Sequence, residues 1–329
     1  MTQDRRASDL HVPVLLQRCV DLLAPALTEP GSVLVDGTLG MGGHTEAVLD
    51  QCPQARVIGI DRDLAALALA GERLARFGDR FTPVHATYDE IDDVVATHAG
   101  GAVQGVLLDL GVSSLQLDDA ERGFSYARPA PLDMRMDTST GETAAELLAE
   151  ASEAELRRIL WTYGEEKFAP RIAAAIVRAR AQEELTTSVQ LADIVKRAVP
   201  MAKQKTGGHP AKRTFQAVRI AVNAELEVLE DALPRAVEVL AVDGRIVVES
   251  YQSLEDRLVK RELARGVASS APRDWPIEPE THRPYLELLV RGAEKADAAE
   301  IERNPRSTSV RLRAARRTRP TPDHMRSTA

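Results

Sequence analysis

Residues 33–48 read VLVDGTLGMGGHTEAV and combine an apolar run, an acidic residue, four glycines within seven residues and a helix-like stretch. The run VLVD predicts a buried strand that ends at Asp36, and the residues after Gly43 predict a helix. A glycine-rich turn between a strand and a helix lets backbone amides approach a nucleotide-like ligand. The segment therefore predicts an α/β fold with a ligand site at its first turn.

The chain on either side extends the same pattern. Apolar runs that predict strands alternate with segments of helical periodicity; the strands are ARVIGIDRD (55–63), FTPVHATY (81–88) and GVLLDLGVSS (105–114), and the helices are TEAVLDQC (45–52) and LAALALAGERLARF (64–77). Such alternation indicates βαβ units and a parallel sheet. In sheets of this kind, ligands lie beyond the carboxyl ends of the strands.

A helical block interrupts this alternation. Residues 143–199 contain only helical patterns, two of which open with the capping sequences SEAE (152–155) and TSVQ (187–190). A long helix over 214–233 and three strands, GRIVVESY (244–251), YLELLVRG (285–292) and SVRLRAAR (309–316), follow. We therefore predict a core in two parts, 8–135 and 207–316, an inserted helical domain over 136–206, and a disordered basic tail over 317–329.

Composition excludes several classes of protein. Hydrophobic residues make up 44% and charged residues 28% of the 329 positions, which is ordinary for a soluble globular protein. No apolar run approaches the roughly 18 residues of a membrane-spanning helix, and the N-terminal residues do not resemble a signal peptide. The two cysteines, Cys19 and Cys52, indicate neither a disulfide framework nor a zinc site. We expect a cytoplasmic protein without a membrane segment or a bound metal.

The distribution of charge is more informative than its sum. The formal net charge of −8 argues against a general nucleic-acid binder. Residues 194–224 nevertheless contain no acidic residue and include Lys203, Lys205, Lys212 and Arg213. This strip predicts either a solvated surface or a local binding site for a polyanion.

Three ligands compete for the glycine-rich turn. A phosphate-binding P-loop requires Lys after its last glycine, but His44 follows Gly43, so that interpretation fails. A dinucleotide fingerprint begins with Gly40 and Gly42, but Thr45 occupies its third glycine position. The dinucleotide interpretation is weakened and stays open, and S-adenosylmethionine is the third candidate.

Acidic residues end three of the predicted strands. Asp61 stands where an acid accepts hydrogen bonds from ribose hydroxyls, and Asp36 is placed to bind loop amides or a ligand ammonium group. Asp109 ends the fourth strand and is expected to face the ligand crevice. A carboxylate there suits a sulfonium and an amine better than a nicotinamide, which favours S-adenosylmethionine over NAD.

At this point the order of motifs indicates a family. The chain contains, in sequence, DGTLGMGGHT, LLDLGVSSLQLDDAERGFSY, PLDMRMD, YGEEKFAPRIAAAI, HPAKRTFQAVRIAVNAEL, SLEDRLVKR and NPRSTSVRLR. From about His11 to Arg316 it resembles the bacterial ribosomal RNA small-subunit methyltransferase H family, also called MraW. The departures are Lys212 where Thr is common, Gln252 where His is common, and the lack of Asp-Gly before Pro131.

The resemblance implies a fold and a reaction. The fold would be a Rossmann-like class I methyltransferase sheet interrupted by an inserted all-helical substrate-recognition domain. The reaction would transfer a methyl group from S-adenosylmethionine to the exocyclic N4 of a cytidine in the decoding centre of 16S rRNA, within the small ribosomal subunit. The chain would act as a monomer or a homodimer.

The resemblance also implies site residues. Together with Asp36 and Gly40 from the pattern above, the expected cofactor contacts are Gly42, Gly43, His44, Asp61, Tyr88, Asp109 and Gln116. We expect Asp109 to be catalytic, as the group that accepts a hydrogen bond and then a proton from the cytosine amine; carbonyls of the Leu110–Gly111 turn are the alternative acceptors. The expected RNA contacts are Arg135, Lys203, Lys205, Lys212 and Arg213.

Other activities remain to be compared with this one. Methylation at cytosine C5 needs a cysteine nucleophile, and we expect neither Cys19 nor Cys52 near the ends of the fourth and fifth strands. Spacing alone does not exclude ribose 2′-O methylation; the resemblance favours N4. An NAD-dependent oxidoreductase and a non-enzymatic RNA-binding assembly factor are the two rival functions.

Overall fold

The computed structural model describes residues 13–126, 128–201, 209–272 and 274–326. Their contacts divide the chain into two compact units. The first, here called the core unit, comprises Met1–Gly111 and Leu226–Ala329, and the second, the helical unit, comprises Val112–Glu225. The helical unit is therefore inserted in the sequence of the core unit.

The core unit is built on one sheet. Within the described residues the sheet has seven strands in the order β3-β2-β1-β4-β5-β7-β6, with bounds β1 (Val33–Asp36), β2 (Arg56–Asp61), β3 (Phe81–His85), β4 (Val103–Asp109), β5 (Leu240–Ser250), β6 (Leu286–Leu288) and β7 (Arg311–Arg317). The first five strands run parallel, and β7 is antiparallel to both β5 and β6. This is a mixed α/β architecture built on a mostly parallel sheet, as predicted.

Helices cover both faces of the sheet. They are α1 (Leu16–Leu23), α2 (Gly43–Gln51), α3 (Leu64–Leu74), α4 (Ile91–His98), α11 (Glu225–Glu238), α12 (Ser253–Val267) and α13 (Ala298–Arg303). Val33 and Val35 of β1 belong to a buried cluster with side chains of α4, α11 and α12, whereas Leu34 packs with α1, α2 and α3. Because alternate strand residues point to opposite faces, a strand buried on both faces is apolar throughout, as in VLV.

The parallel strands bring distant residues to one edge of the sheet. Asp36, Asp61 and Asp109 are the last residues of β1, β2 and β4. Asp109 is also paired in register with Glu249 of β5. The carboxyl edge of the sheet therefore collects the three acids that the sequence singled out, and it adds a fourth.

The helical unit contains the elements α5 (Ser114–Asp118), α6 (Ala144–Glu150), α7 (Glu153–Gly164), α8 (Ala169–Arg180), α9 (Ser188–Ala198) and α10 (Lys212–Asn223). The predicted caps are present: the Ser152 side chain accepts a hydrogen bond from the N–H of Glu155, and Thr187 and Gln190 form a reciprocal capping box. Gly164 lets α7 approach α10, since a Cβ there would lie 2.7 Å from the carbonyl oxygen of Arg213.

The prediction of one helix over 214–233 is wrong. The helix is interrupted at Ala224, whose φ of +49° lies in the left-handed region, so that α10 ends at Asn223 and α11 begins at Glu225. The periodic pattern continues through this point because both helices are amphipathic, and Ala carries no signal for the interruption.

Two predicted boundaries also differ from the structure. The compact helical unit covers Val112–Glu225, which is longer than the predicted insertion 136–206, partly because α10 packs on α7. The described part of the tail is ordered: Arg317 ends β7, and its guanidinium donates to the carbonyl oxygens of Glu238 (2.6 Å) and Leu240. Thr321 is buried beside it. Among the described helices, none is long and apolar enough to cross a membrane.

Candidate functional site

The glycine-rich turn has the backbone geometry that its sequence demands. Gly40 and Gly42 have φ values of +52° and +76°, in the left-handed region that other residues rarely adopt. A Cβ at Gly42 would also lie 2.9 Å from Cδ1 of Leu74, and one on Gly43 would lie 2.4 Å from Cγ of Pro13. The turn is therefore specific for glycine at these positions.

Asp36 organises the turn from inside. Its buried carboxylate accepts hydrogen bonds from the N–H of Thr38 (3.3 Å) and from the hydroxyl of Thr45 (2.7 Å). Thr45 thus has a polar role at the position where a dinucleotide fingerprint has glycine. Burial raises the pKa of Asp36 to about 6, although the Thr45 hydroxyl and nearby His44 favour the charged form.

Asp61 connects the turn to the second strand. One carboxylate oxygen accepts from the N–H of Gly40 (2.8 Å), and the other accepts from the N–H of Asp63 (2.9 Å). Burial raises the pKa of Asp61 to about 6 despite both bonds. Each oxygen keeps a further lone pair, so the carboxylate can also accept from a ligand hydroxyl.

Asp109 has one oxygen bound and one available. Its Oδ1 accepts a hydrogen bond from the hydroxyl of Tyr251 (2.8 Å), and its N–H donates to the Thr38 hydroxyl oxygen (2.6 Å). Its Oδ2 lies 3.8 Å from Nδ1 of His44 and accepts no hydrogen bond from the described residues. Burial raises the pKa of Asp109 to about 6, and the Tyr251 hydroxyl lowers it in part.

His44, near the start of α2, lies beside this carboxylate. Its Nε2 is 3.1 Å from the carbonyl oxygen of Val14 and 3.5 Å from Oε2 of Glu249. Burial lowers the pKa of His44. Glu249 is fully buried, and burial together with the charge of Asp109 raises the pKa of Glu249 well above its usual value.

Cys19 of α1 joins this group. Its Sγ and one donor atom each from His44 and Glu249 all lie within 4.8 Å of one another. The expectation that no cysteine lies near the ends of the fourth and fifth strands is therefore wrong for Cys19. The residue is 1% exposed, and burial raises the pKa of its thiol well above the usual value, which makes it a poor nucleophile.

Tyr88 follows β3 at the same edge of the sheet. It begins a short 3-10 turn, and its Cβ lies 3.2 Å from where a Cβ on Gly37 would stand. A side chain at Gly37 would also lie 2.6 Å from Cδ2 of Leu108. Gly37 thus brings the first strand's end close to Tyr88.

Comparisons with known proteins place the chain in a family. The model of the MraW methylase family matches residues 8–318. The chain belongs to the MraW methylase family. A protein of Beutenbergia cavernae named ribosomal RNA small subunit methyltransferase H is 73% identical over 98% of this chain and 96% of its own length. A protein of the same name from Clavibacter michiganensis subsp. michiganensis is 62% identical over 94% of this chain and 98% of its own length.

A solved structure is also similar. The crystal structure of a putative rRNA-methylase from Clostridium thermocellum aligns with a TM-score of 0.44 and 14% identity, covering 94% of this chain and all of that one. The family identity is carried by the sequence relatives, which span nearly the full length of both chains.

This MraW-family methyltransferase uses S-adenosylmethionine as its methyl donor. The residues at the sheet edge fit that molecule. Asp36, Asp61 and Asp109 offer only acceptor oxygens, which match ribose hydroxyls, an ammonium group and a sulfonium charge. Burial raises the pKa of each carboxyl to about 6. A bound cation would lower these pKa values again, because it stabilises the ionised carboxylates.

The predicted cofactor contacts divide between the two units. Asp36, Gly40, Asp61 and Asp109 meet at the carboxyl edge of the core unit's sheet. Gly42 lies in the turn after β1, Gly43 and His44 begin α2, and Tyr88 begins the 3-10 turn after β3. The side chain of His44 points into the buried group described above. Gln116 lies in the helical unit, where its buried side chain accepts from the N–H of Ser113 (3.0 Å) in the capping box of α5.

The predicted RNA contacts all belong to the helical unit or lie outside the described residues. Arg135 is engaged by Asp133, with nitrogen-to-oxygen distances of 2.9 and 2.8 Å. Lys212 and Arg213 are exposed at the start of α10, where the Arg213 guanidinium donates to the carbonyl oxygen of Glu165 (2.8 Å). Lys203 and Lys205 lie outside the described residues.

Three residues of the candidate site were not predicted from the sequence. Tyr251 orients Asp109, Thr38 accepts from its N–H, and Glu249 pairs with it in the sheet. A weak signal was present, since Glu249 and Tyr251 stand at the end of the GRIVVESY strand, next to the edge that holds the other acids. Strand order, which local patterns do not specify, was needed to bring them beside Asp109.

Proposed function

We propose that this methyltransferase transfers a methyl group to the exocyclic N4 of a cytidine in the decoding centre of 16S rRNA. The observation that carries the proposal is the likeness, at 73% identity over 98% of the chain, to a protein named ribosomal RNA small subunit methyltransferase H. That name supplies the substrate class, rRNA of the small subunit. The N4 position and the decoding centre come from the motif resemblance.

Methyl transfer to the cytosine amine requires a proton acceptor, and Asp109 is the candidate. S-adenosylmethionine supplies an electrophilic methyl group when it is bound. The amine of cytosine is a poor nucleophile, because its lone pair is delocalised into the ring. An acceptor that takes a hydrogen bond from one N–H localises that pair and then receives the proton.

The arrangement around Asp109 suits this role. The Tyr251 hydroxyl holds Oδ1, which fixes the plane of the carboxylate, while Oδ2 keeps lone pairs for the incoming amine. With a pKa of about 6, the side chain is ionised near neutral pH and is more basic than an ordinary Asp. General-base assistance of this kind contributes roughly 10²–10⁴-fold to a rate, and positioning supplies much of the remainder.

RNA binding is the second part of the proposal. The target base must leave its stack to reach a catalytic carboxylate, and the protein must hold the phosphates on either side. The candidates are Arg135, Lys203, Lys205, Lys212 and Arg213. Lys212 and Arg213 are exposed in an acid-free strip, which supports this role, whereas the ion pair with Asp133 reduces the charge that Arg135 presents. Gln116 is retained as a cofactor contact on the resemblance alone.

Methylation at cytosine C5 would need Cys19 as its nucleophile, and the burial of Cys19 argues against that role. Cys19 lies close to the buried end of the site, but its thiol is 1% exposed and has a raised pKa. A C5 nucleophile must reach the ring of the base and react as a thiolate. N4 methylation with a carboxylate acceptor therefore remains the better proposal.

Product analysis tests the proposal. The full-length protein is incubated with labelled S-adenosylmethionine and small ribosomal subunits from cells that lack this modification, and the rRNA is digested to nucleosides. We expect label in N4-methylcytidine from one decoding-centre position. Label in 5-methylcytidine or a 2′-O-methylated nucleoside would overturn the N4 assignment, and absence of label with intact RNA binding would favour the assembly factor.

A further inference from the structure

We infer that Cys19, His44 and Glu249 form a buried binding site for one divalent transition-metal ion of the zinc class. The three residues come from α1, α2 and β5, which are far apart in the sequence. The inference concerns the core unit alone and does not depend on which nucleotide is methylated.

The geometry is compatible with a single ion. The three donor atoms lie within 4.8 Å of one another, and Nε2 of His44 is 3.5 Å from Oε2 of Glu249. A cation placed between them lies within about 2.8 Å of each atom, and small side-chain rotations shorten this to the roughly 2.0–2.3 Å of zinc–ligand bonds.

Glu249 provides the second and independent observation. Its side chain is fully buried, and among the described residues neither carboxyl oxygen makes a hydrogen bond of ordinary geometry, although the Cys19 thiol and the His44 imidazole face it. Buried polar groups are nearly always satisfied, so this carboxyl requires an explanation. A bound cation would satisfy it: the thiol and the carboxyl would each release a proton to solvent on binding, and the resulting thiolate and carboxylate balance the two positive charges of the ion.

The donor types select the kind of ion. A thiolate, an imidazole and a carboxylate are the ligands of zinc and similar borderline-soft metals, whereas calcium and magnesium prefer oxygen alone. Nε2 of His44 would exchange its contact with the carbonyl oxygen of Val14 for the metal. Nδ1 would then carry the ring proton and face Oδ2 of Asp109 at 3.8 Å, as ligating histidines face a carboxylate in known zinc sites.

Cobalt titration tests the site with a readout other than activity. The untagged full-length protein is stripped with a chelator and titrated with Co²⁺. We expect a near-ultraviolet thiolate-to-cobalt band that saturates at one equivalent and is lost when Zn²⁺ is added. Cys19→Ser should abolish the band, whereas Cys52→Ser, which changes the other buried cysteine, should retain it.

A second variant keeps the inference testable if Cys19→Ser fails to fold. Glu249→Met removes the buried carboxyl and preserves volume, so the metal-free variant should melt at the same temperature as the wild type or higher. Zn²⁺ should raise the Tm of the wild type but not that of Glu249→Met. A wild-type protein that gives no thiolate band, or a Tm that does not respond to Zn²⁺, would overturn the inference.

Discussion

Asp109 concentrates several physical demands in one side chain. It must be buried enough to have a raised pKa, ionised enough to accept a proton, and fixed enough to meet the amine. The hydrogen bond from the Tyr251 hydroxyl to Oδ1 orients the carboxylate and limits the rise in its pKa, and Oδ2 stays available to accept the proton. The first of the two predictions below concerns Asp109 as the proton acceptor, and the second concerns the Tyr251 hydrogen bond that lowers its pKa.

The first prediction concerns the acceptor itself. Asp109→Asn keeps the size of the side chain but removes the negative charge and the proton-accepting oxygen pair. We expect kcat for methyl transfer to fall by roughly 10²–10⁴-fold, measured at saturating donor and RNA. Asp93→Asn, an exposed acid of α4, is the matched control and should retain wild-type turnover. Turnover of Asp109→Asn within tenfold of the wild type would remove Asp109 from the catalytic role.

The second prediction concerns pH. A base with a pKa of about 6 is active in its ionised form, so kcat/KM should be level above that pH and should fall as the pH drops below it. Tyr251→Phe removes the bond that lowers the pKa of Asp109, and the fall should then begin roughly one pH unit higher. The pH profile of kcat/KM checks this; a profile that does not move would mean that another group sets the acid limb.

At the scale of elements, close approach is permitted by single glycines. Gly164 lets α7 lie against α10, where a Cβ would be 2.7 Å from the carbonyl oxygen of Arg213 and 3.2 Å from Cβ of Ala217. Gly71 also lies within a helix, α3, but a Cβ there would meet no heavy atom of the described residues within 4 Å. The two glycines are therefore a matched pair with opposite surroundings.

The third prediction uses this pair. Replacing a helical glycine by alanine stabilises by roughly 0.5–1 kcal/mol through the backbone, whereas overpacking costs about 1–3 kcal/mol. Gly164→Ala should therefore lower the free energy of unfolding, and Gly71→Ala should raise it. Urea denaturation of both variants measures the difference. Equal stabilisation by both substitutions would show that the α7–α10 contact is looser than described.

For the whole molecule, charge distribution matters more than net charge. A chain with a net charge of −8 can bind RNA only through a local basic surface, because the rest of the protein repels phosphate. The acid-free strip over 194–224 is the candidate for such a surface. Its effect must appear in the salt dependence of binding, because each phosphate contact releases counterions.

The fourth prediction concerns this salt dependence. Changing Lys203, Lys205, Lys212 and Arg213 to Gln should reduce the slope of log K against log salt for RNA binding by roughly two to three. The double variant of Lys212 and Arg213 should reduce it by roughly one. Donor affinity should stay unchanged in both variants.

The control is matched to the double variant and removes the same two positive charges elsewhere. Lys260→Gln with Lys295→Gln, in the core unit, should leave the slope as in the wild type. Circular dichroism of each variant verifies folding, since Arg213 also donates to the carbonyl oxygen of Glu165. An equal change in slope in the control would mean that the strip has no special role.

The sequence by itself determined the parallel sheet and the meeting of Asp36, Asp61 and Asp109 at one edge. It did so because each acid directly follows a buried apolar run, and parallel strands bring their carboxyl ends together. The glycine turn was equally readable, since Gly40 and Gly42 adopt positive φ angles that few other residues tolerate.

Only the tertiary structure decided what surrounds those acids. Pairing of β5 with β4 places Glu249 and Tyr251 next to Asp109, and packing of α1 brings Cys19 to the same place. The left-handed break at Ala224 was equally hidden. These features depend on strand order, register and contacts between segments far apart in the chain. The periodicity of a segment indicates only which of its faces is apolar, not which other segment packs on that face.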